Sequence, residues 1–176
     1  MKNTKDNNFA YIDGANLNKA SNELGWPLDY ARFRVWLREK YGVKNAYIFI
    51  GMIPKYGGLY KYLQESGFIL VFKEVIHDGS GNPKGNCDAD LVLRVVSDSY
   101  ENKFDKSVIV SSDGDYYSLI NFLIDKNKLK IILSPSVSKK CSVLLKRTGA
   151  KISYINDQKN NLIVRKEKTP DVDKTT

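Results

Sequence analysis

A chain of 176 residues with 28 Lys and Arg against 20 Asp and Glu carries a formal charge of +8. That length suits one compact domain whose core needs no disulfide or metal staple, and 42% hydrophobic with 27% charged residues excludes a disordered chain. No apolar run reaches the ~18 residues of a membrane span, two cysteines exclude a disulfide framework, and the single histidine, His77, leaves a His-rich zinc site or a Ser-His-Asp triad little to build on. The surplus charge favours a polyanionic partner, nucleic acid first.

The first residues, Met-Lys-Asn-Thr-Lys-Asp-Asn-Asn, carry no apolar signal-peptide core, so a cytoplasmic setting is expected. Phe9-Ala10-Tyr11-Ile12 reads as a short strand stopped by Asp13-Gly14. From Asp29, Phe33, Trp36 and Leu37 follow helical spacing up to Gly42. Ala46 to Ile53 is a buried strand broken by Pro54; Leu59, Tyr62 and Leu63 fit a short helix closing at Gly67. Phe68 to Ile76 is strand-like, and His77 to Asn86 is a loop rich in Gly, Asn and Pro. Leu91, Val92, Val95 and Val96 form a helical stripe, Val108 to Val110 a strand, and Leu119, Ile120, Leu123 and Ile124 another stripe. Leu129 to Leu133 is a strand, Val137 to Arg147 a helix with Gly149 beyond it, and Ile152 to Ile155 a last strand.

Strands alternating with helices predict right-handed βαβ units, and continuous apolar strands predict burial on both faces. The expected fold class is α/β: a mostly parallel sheet in a three-layer α/β/α arrangement. There is no internal repeat. The expected organisation is an N-terminal tail over 1–8, one domain over 9–155 and a C-terminal extension over 156–176 whose end frays. That extension has five basic and four acidic residues, so the surplus positive charge belongs to the domain.

Ligands of open α/β sheets bind beyond the carboxyl ends of the strands. There the first strand delivers Asp13, Gly14, Ala15 and Asn16, the central strand delivers Ser111, Ser112, Asp113 and Asp115, and the Gly-rich loop leads to Lys84 and Asp88. Each aspartate has an ordinary explanation as a cap or turn residue, a cap being worth about 1 kcal/mol. Their recurrence on three connections of one edge is the signal. Converging carboxylates repel and raise one another's pKa values; a hard divalent cation, Mg²⁺ or Mn²⁺, relieves that cost. Under a basic surface such a site suits phosphodiester chemistry. Asp13, Asp88, Asp113 and Asp115 would form the metal cage, with Asn16 toward the metal through water or toward a phosphate, Lys84 toward a phosphate oxygen, the hydroxyls of Ser111 and Ser112 toward the carboxylates, and Ser112 also among the expected substrate-binding residues.

Three motifs in order, Tyr11-Ile12-Asp13-Gly14-Ala15-Asn16-Leu17, Lys84-Gly85-Asn86-Cys87-Asp88-Ala89-Asp90-Leu91 and Val110-Ser111-Ser112-Asp113-Gly114-Asp115-Tyr116, resemble the NYN domain family, PIN-like nucleases that include LabA-like proteins. The resemblance spans roughly residues 9 to 155. It implies a PIN-like, Rossmann-like α/β/α fold and metal-dependent RNA cleavage, with the acidic site carried over to Asp13, Asp88, Asp113 and Asp115. One departure stands out: many relatives have a further Asp where this chain has Arg94.

Outside the motifs, Gly79 to Gly85 lacks the spacing of a nucleotide phosphate loop. Lys139, Lys140, Lys146 and Arg147 read as a solvated helix face or as a contact to an RNA backbone. Tyr56, Tyr60, Tyr116 and Tyr117 are candidates for stacking on unpaired bases, packing being the alternative. The combined expectation is a metal-dependent ribonuclease acting on single-stranded RNA, without membrane association and with homodimerisation open. A non-catalytic RNA-binding module of the same fold is the alternative that Arg94 supports. A phosphatase using Asp13 as nucleophile is disfavoured by Ala15, where a second Asp is expected.

Overall fold

The computed structural model describes residues 6–73, 76–77, 79, 83–84 and 87–165, with the backbone alone for 76, 77, 83 and 84. Strand β1 (Asn8–Asp13) runs into helices α1 (Gly14–Glu23) and α2 (Tyr30–Tyr41). Strand β2 (Val43–Gly51) is followed by a 3₁₀ turn at Pro54–Tyr56 and α3 (Gly57–Glu65), then β3 (Ile69–Lys73) and the two-residue strands β4 (Ile76–His77) and β5 (Pro83–Lys84). Helix α4 (Asp88–Tyr100) leads to β6 (Ser107–Val110), a 3₁₀ turn at Gly114–Tyr116 and α5 (Tyr117–Asp125). The chain continues through β7 (Leu129–Ser134), α6 (Val143–Arg147), β8 (Ile152–Tyr154) and α7 (Lys159–Leu162).

Six strands form one sheet in the order β3-β2-β1-β6-β7-β8, parallel throughout. The chain winds outward from β1 to β3, then crosses back through α4 to β6 and winds outward on the other side. Between β1 and β6 lies the point where the winding reverses, the place where open α/β sheets open a crevice for ligands.

Side chains alternate across this sheet. Ala10 and Ile12 pack with Leu17 of α1, Phe33 of α2, Leu63 of α3 and Leu162 of α7. Phe9 and Tyr11 pack with Leu91 of α4, Leu119 of α5 and Leu145 of α6. On the second face an aromatic layer forms, with the rings of Tyr11 and Tyr47 stacked at 5.5 Å. The same alternation sends Asp13 to the α4–α5 side, at the carboxyl end of β1.

Several local expectations differ from the structure. Helix α1 was not legible, because its only buried residues are Gly14, Leu17 and Ala20 on an otherwise polar, Asn-rich segment. Strand β2 starts at Val43 rather than Ala46 and ends at Gly51 rather than Ile53. The expected strand over 68–76 divides: β3 ends at Lys73, residues 74–75 lie outside the described ones, and Ile76–His77 pairs antiparallel with Pro83–Lys84 inside the expected loop. The helix expected over 137–147 is broken, with a 3₁₀ turn at Ser138–Lys140, extended backbone at Cys141 and α6 capped by Ser142, whose Oγ accepts from the Leu144 N–H. Residues 156–165 continue the fold beyond the expected boundary. Leu162 is fully buried, its carbonyl accepts from Asp29 N–H at 2.8 Å, and Pro27 carbonyl accepts from Val164 N–H at 3.1 Å. Four residues of helix are too short to show a period. Of the expected tails, residues 1–5 and 166–176 lie outside the described residues, whereas Asn8, expected in the N-terminal tail, is buried and opens β1.

Close approach decides the start of α1. A Cβ at Gly14 would stand 2.6 Å from the Phe49 carbonyl oxygen, a separation that real Cβ atoms essentially never show, and a tight 3.1 Å from the Ile48 side chain. Gly14→Ala is therefore expected to lower stability by about 1–3 kcal/mol, the cost of overpacking a filled core, read as a fall in the denaturation midpoint. An unchanged midpoint would show that α1 moves freely on β2.

Candidate functional site

Three chain segments meet at the β1–β6 crevice. Asp13 ends β1 and caps α1, its Oδ1 accepting from Asn16 N–H at 2.9 Å. Asp88 is the first residue of α4. Asp113 caps the 3₁₀ turn after β6, its Oδ1 accepting from Asp115 N–H at 3.0 Å. Acidic residues at helix starts complement the partial positive charge there, which is why the backbone tolerates so many carboxylates in one place.

Asp88, Asp113 and Asp115 each bring a carboxylate oxygen within 4.8 Å of the others. Asp13 lies outside that trio, on the floor of the site, and is only 6% exposed. Tyr116 joins the two layers: its hydroxyl lies 2.6 Å from Asp88 Oδ1 and 3.4 Å from Asp13 Oδ2. Ser111 Oγ also donates to Asp13 Oδ2, at 3.4 Å. Burial pushes the Asp13 carboxyl above the usual carboxylate range; the Asn16 amide works against this, while the charges of Asp88 and Asp113 add to it. Burial beside Asp13 and Asp88 likewise pushes the Tyr116 phenol up, so it stays protonated and serves as a donor.

The donor set is made of hard oxygens, at a spacing at which carboxylates repel unless a cation lies between them. These residues fit a divalent metal ion. The thiol of Cys87, just before Asp88, is pushed up by burial and stays in its neutral, weakly ligating form.

Because Asp13 carries its charge into the interior, the sign of its pH effect is fixed. A carboxyl raised in the folded state binds protons more tightly there than in the unfolded chain, so stability falls as pH rises from the ordinary carboxylate range through the raised value. In metal-free protein, Asp13→Asn keeps an N-cap residue and removes the buried charge. It is expected to raise the neutral-pH melting temperature by about 2–4 °C, the effect of about 1 kcal/mol on a domain of this size, and to flatten the pH profile. Thermal melts in EDTA from acid to neutral pH check this; a lower midpoint for the variant would contradict it.

The remaining predicted residues divide. Asn16 Oδ1 accepts from both the N–H and the Oγ of Ser112, at 3.0 Å each, so its NH₂ is the group it has to offer a phosphate. Ser112 is buried, and its hydroxyl also contacts Ser136 Oγ at 3.2 Å. It ties the β6 and β7 loops together rather than presenting a donor to the carboxylates. Lys139 and Lys140 are exposed in the turn after β7, and Lys140 Nζ lies 2.7 Å from Glu23 Oε2 at the end of α1. The Lys84 side chain lies outside the described residues. Tyr60 and Tyr116 are buried and unavailable for stacking; Tyr56 and Tyr117 are exposed.

Arg94 does not enter the acidic trio. Its Nε lies 2.7 Å from Asp98 Oδ2 and its guanidinium sits over the Tyr47 ring. Asp98 is fully buried, and Lys103 Nζ and the Tyr11 hydroxyl also reach it, at 3.1 and 3.0 Å. The sequence left Asp98 unmarked and offered Tyr116 only as a stacking or packing residue. The signal for Asp98 was an acidic residue four positions after Arg94 on one helix face; for Tyr116 only its adjacency to the Asp113-Gly114-Asp115 motif pointed to the site.

Comparison with known proteins agrees with this fold. A crystal structure of a protein of unknown function from Vibrio parahaemolyticus superposes with a TM-score of 0.74 at 21% identity, covering 93% of this chain and 99% of that one. It shares the fold. No curated protein matches the chain. The model of the NYN domain matches residues 9–155, a span that begins at β1 and contains all four aspartates of the crevice. With its doubly wound parallel sheet and its acidic trio at the reversal point, the chain belongs to the NYN domain family and has that family's PIN-like nuclease fold.

Proposed function

We propose that the protein is a metal-dependent ribonuclease that hydrolyses phosphodiester bonds of single-stranded RNA. The observation that carries this reading is the convergence of Asp88, Asp113 and Asp115 at the winding reversal of an NYN fold. These three carboxylates would hold Mg²⁺ or Mn²⁺, and Asp13 adds its charge from the floor. When bound, the ion lowers the pKa of a coordinated water and offsets charge on the scissile phosphate.

The chain's own groups do the rest. The Tyr116 hydroxyl holds Asp88 in place against Asp13, and Ser111 steadies Asp13. The backbone amides of Asn16 and Asp115 each engage one oxygen of Asp13 and Asp113, so both side chains are fixed before any substrate arrives. The NH₂ of Asn16 and the ammonium groups of Lys139 and Lys140 would bind phosphate oxygens along the strand. The catalytic unit is residues 9–155, with 156–165 clasping α2.

The test is incubation of the protein with labelled single-stranded RNA in Mn²⁺ or in EDTA. Cleavage in Mn²⁺ alone supports the reading. Salt-sensitive binding without cleavage would sink it in favour of the RNA-binding module that Arg94 suggests, and phosphate release from a small phosphomonoester would favour a phosphatase.

A further inference from the structure

Beside the acidic crevice the fold leaves a second concavity, of about 450 Å³, between α1, the end of β2 and α3. That size falls within the ~300–1,000 Å³ of small-ligand sites. Resting on the nuclease reading above, we infer that this cavity is a nucleobase subsite, which receives an unstacked base of the RNA strand lying across the aspartates.

Position is the first argument. Gly14 and Ala15, the two residues after Asp13, line the cavity, and so does Gly51 at the end of β2. Asp13 pairs in register with Phe49, so Gly51 lies one strand across and two residues further out, about 7 Å beyond the level of Asp13. Asp13 faces the α4–α5 side and the cavity lies on the α1–α3 side, so a strand held at the aspartates by its phosphate reaches the cavity by crossing the carboxyl edge of β1 and β2.

Chemistry is the second. The walls include the aliphatic side chains of Ile50, Ile53 and Leu59, while Asn18, Asn22 and Tyr30 supply amide and phenol groups. Apolar walls suit the π-face of a base, and amides suit its hydrogen-bonding edges; proteins hydrogen-bond the edges of unstacked RNA bases in this way. Tyr56, also lining the cavity, is 43% exposed, and Lys55 Nζ sits 5.0 Å from its ring centre. An aromatic face and a cation thus stand together where a base and its phosphate would enter. A second copy of this chain carries the same positive surplus and would be repelled, whereas a polyanion is drawn in.

Preorganisation is the third. The Tyr60 hydroxyl accepts from Ile53 N–H at 3.0 Å and donates to the Gly51 carbonyl at 2.9 Å. Its ring packs edge-on against Phe72 at 5.0 Å. This tie holds the segment after β2 open as a wall.

The experiment fills the cavity. Leu59→Trp places an indole inside it, and Asn18→Trp, at an exposed rim position, does so without touching the core. Affinity for single-stranded RNA is measured by fluorescence anisotropy in EDTA, beside thermal melts. Each variant is expected to bind about tenfold more weakly, the share carried by one stacked base. An RNA scanned with single abasic riboses should lose the same factor with the native chain at one position and nothing further with the variants. Native affinity in folded variants would overturn the inference. Binding of adenosine and uridine monophosphates separates the two readings. Cleavage in Mn²⁺ with unchanged KM in both variants means that the subsite fails and the nuclease stands. No cleavage, but monophosphate binding that is lost in Leu59→Trp, means the reverse. No binding of RNA or of either monophosphate overturns the subsite outright.

Discussion

Asp113→Asn is expected to lower Mn²⁺-dependent cleavage of single-stranded RNA by about 10³-fold or more, with the fold intact. The residue supplies one of three carboxylate oxygens that lie within 4.8 Å of one another, and the charge stabilisation that such a cage gives a phosphodiester transition state amounts to several kcal/mol; each 1.36 kcal/mol is a factor of ten in rate. An amide keeps the size of the side chain and still accepts from Asp115 N–H, as the cap of the 3₁₀ turn requires. Melting temperature should therefore hold while single-turnover cleavage collapses. Retention of native cleavage by a folded variant would remove Asp113 from the site, and with it the metal trio.

The second large effect falls on stability, at a residue outside the site. Asp98→Ala is expected to cost about 3 kcal/mol, a fall in melting temperature of about 10 °C for a domain of this size. Asp98 is fully buried and joins Arg94, Lys103 and the Tyr11 hydroxyl. Removing it strands the buried Tyr11 hydroxyl, whose phenol burial and Asp98 together already hold well above its ordinary range, and an orphaned buried donor costs about 1–3 kcal/mol. The two cations are partly exposed and regain water, so the loss stays near the low end for a broken buried pair. Asp98→Asn should lose less, because it can still accept from Tyr11. Equal melting temperatures for Asp98→Ala and the native chain would show that the network is not structural.

This network bears on the departure at Arg94. Where the resemblance to the family leads to the expectation of a further carboxylate, this chain carries a cation, but the cation is turned to Asp98 and the Tyr47 ring rather than to the aspartates of the crevice. Asp88 and Arg94 are six residues apart on α4, about 9 Å along its axis, so the substitution leaves the trio's geometry alone.

The repeating α/β order and the positions of Asp13, Asp88, Asp113 and Asp115 at strand ends and a helix start were legible from the chain alone. Both signals are local: apolar runs reveal buried strands, and polar residues directly after them mark the carboxyl edge. The motifs likewise identified the family. Helix α1 escaped notice because its buried stripe is small, and the break at Cys141–Ser142 escaped because a capping serine inside an apolar stripe looks like helix. Burial and partnership were beyond a linear reading. That Asp13 lies under the trio rather than within it, that Tyr116 is a buried bridge and not a stacking platform, that Ser112 is spent on Asn16, and that Arg94 answers to Asp98 all depend on which strands become neighbours. Sequence alone determined the chemistry available at the sheet edge, because residue type and strand period are local properties. Only the tertiary structure decided which oxygens meet, because pairing β1 with β6 brings together residues about a hundred positions apart.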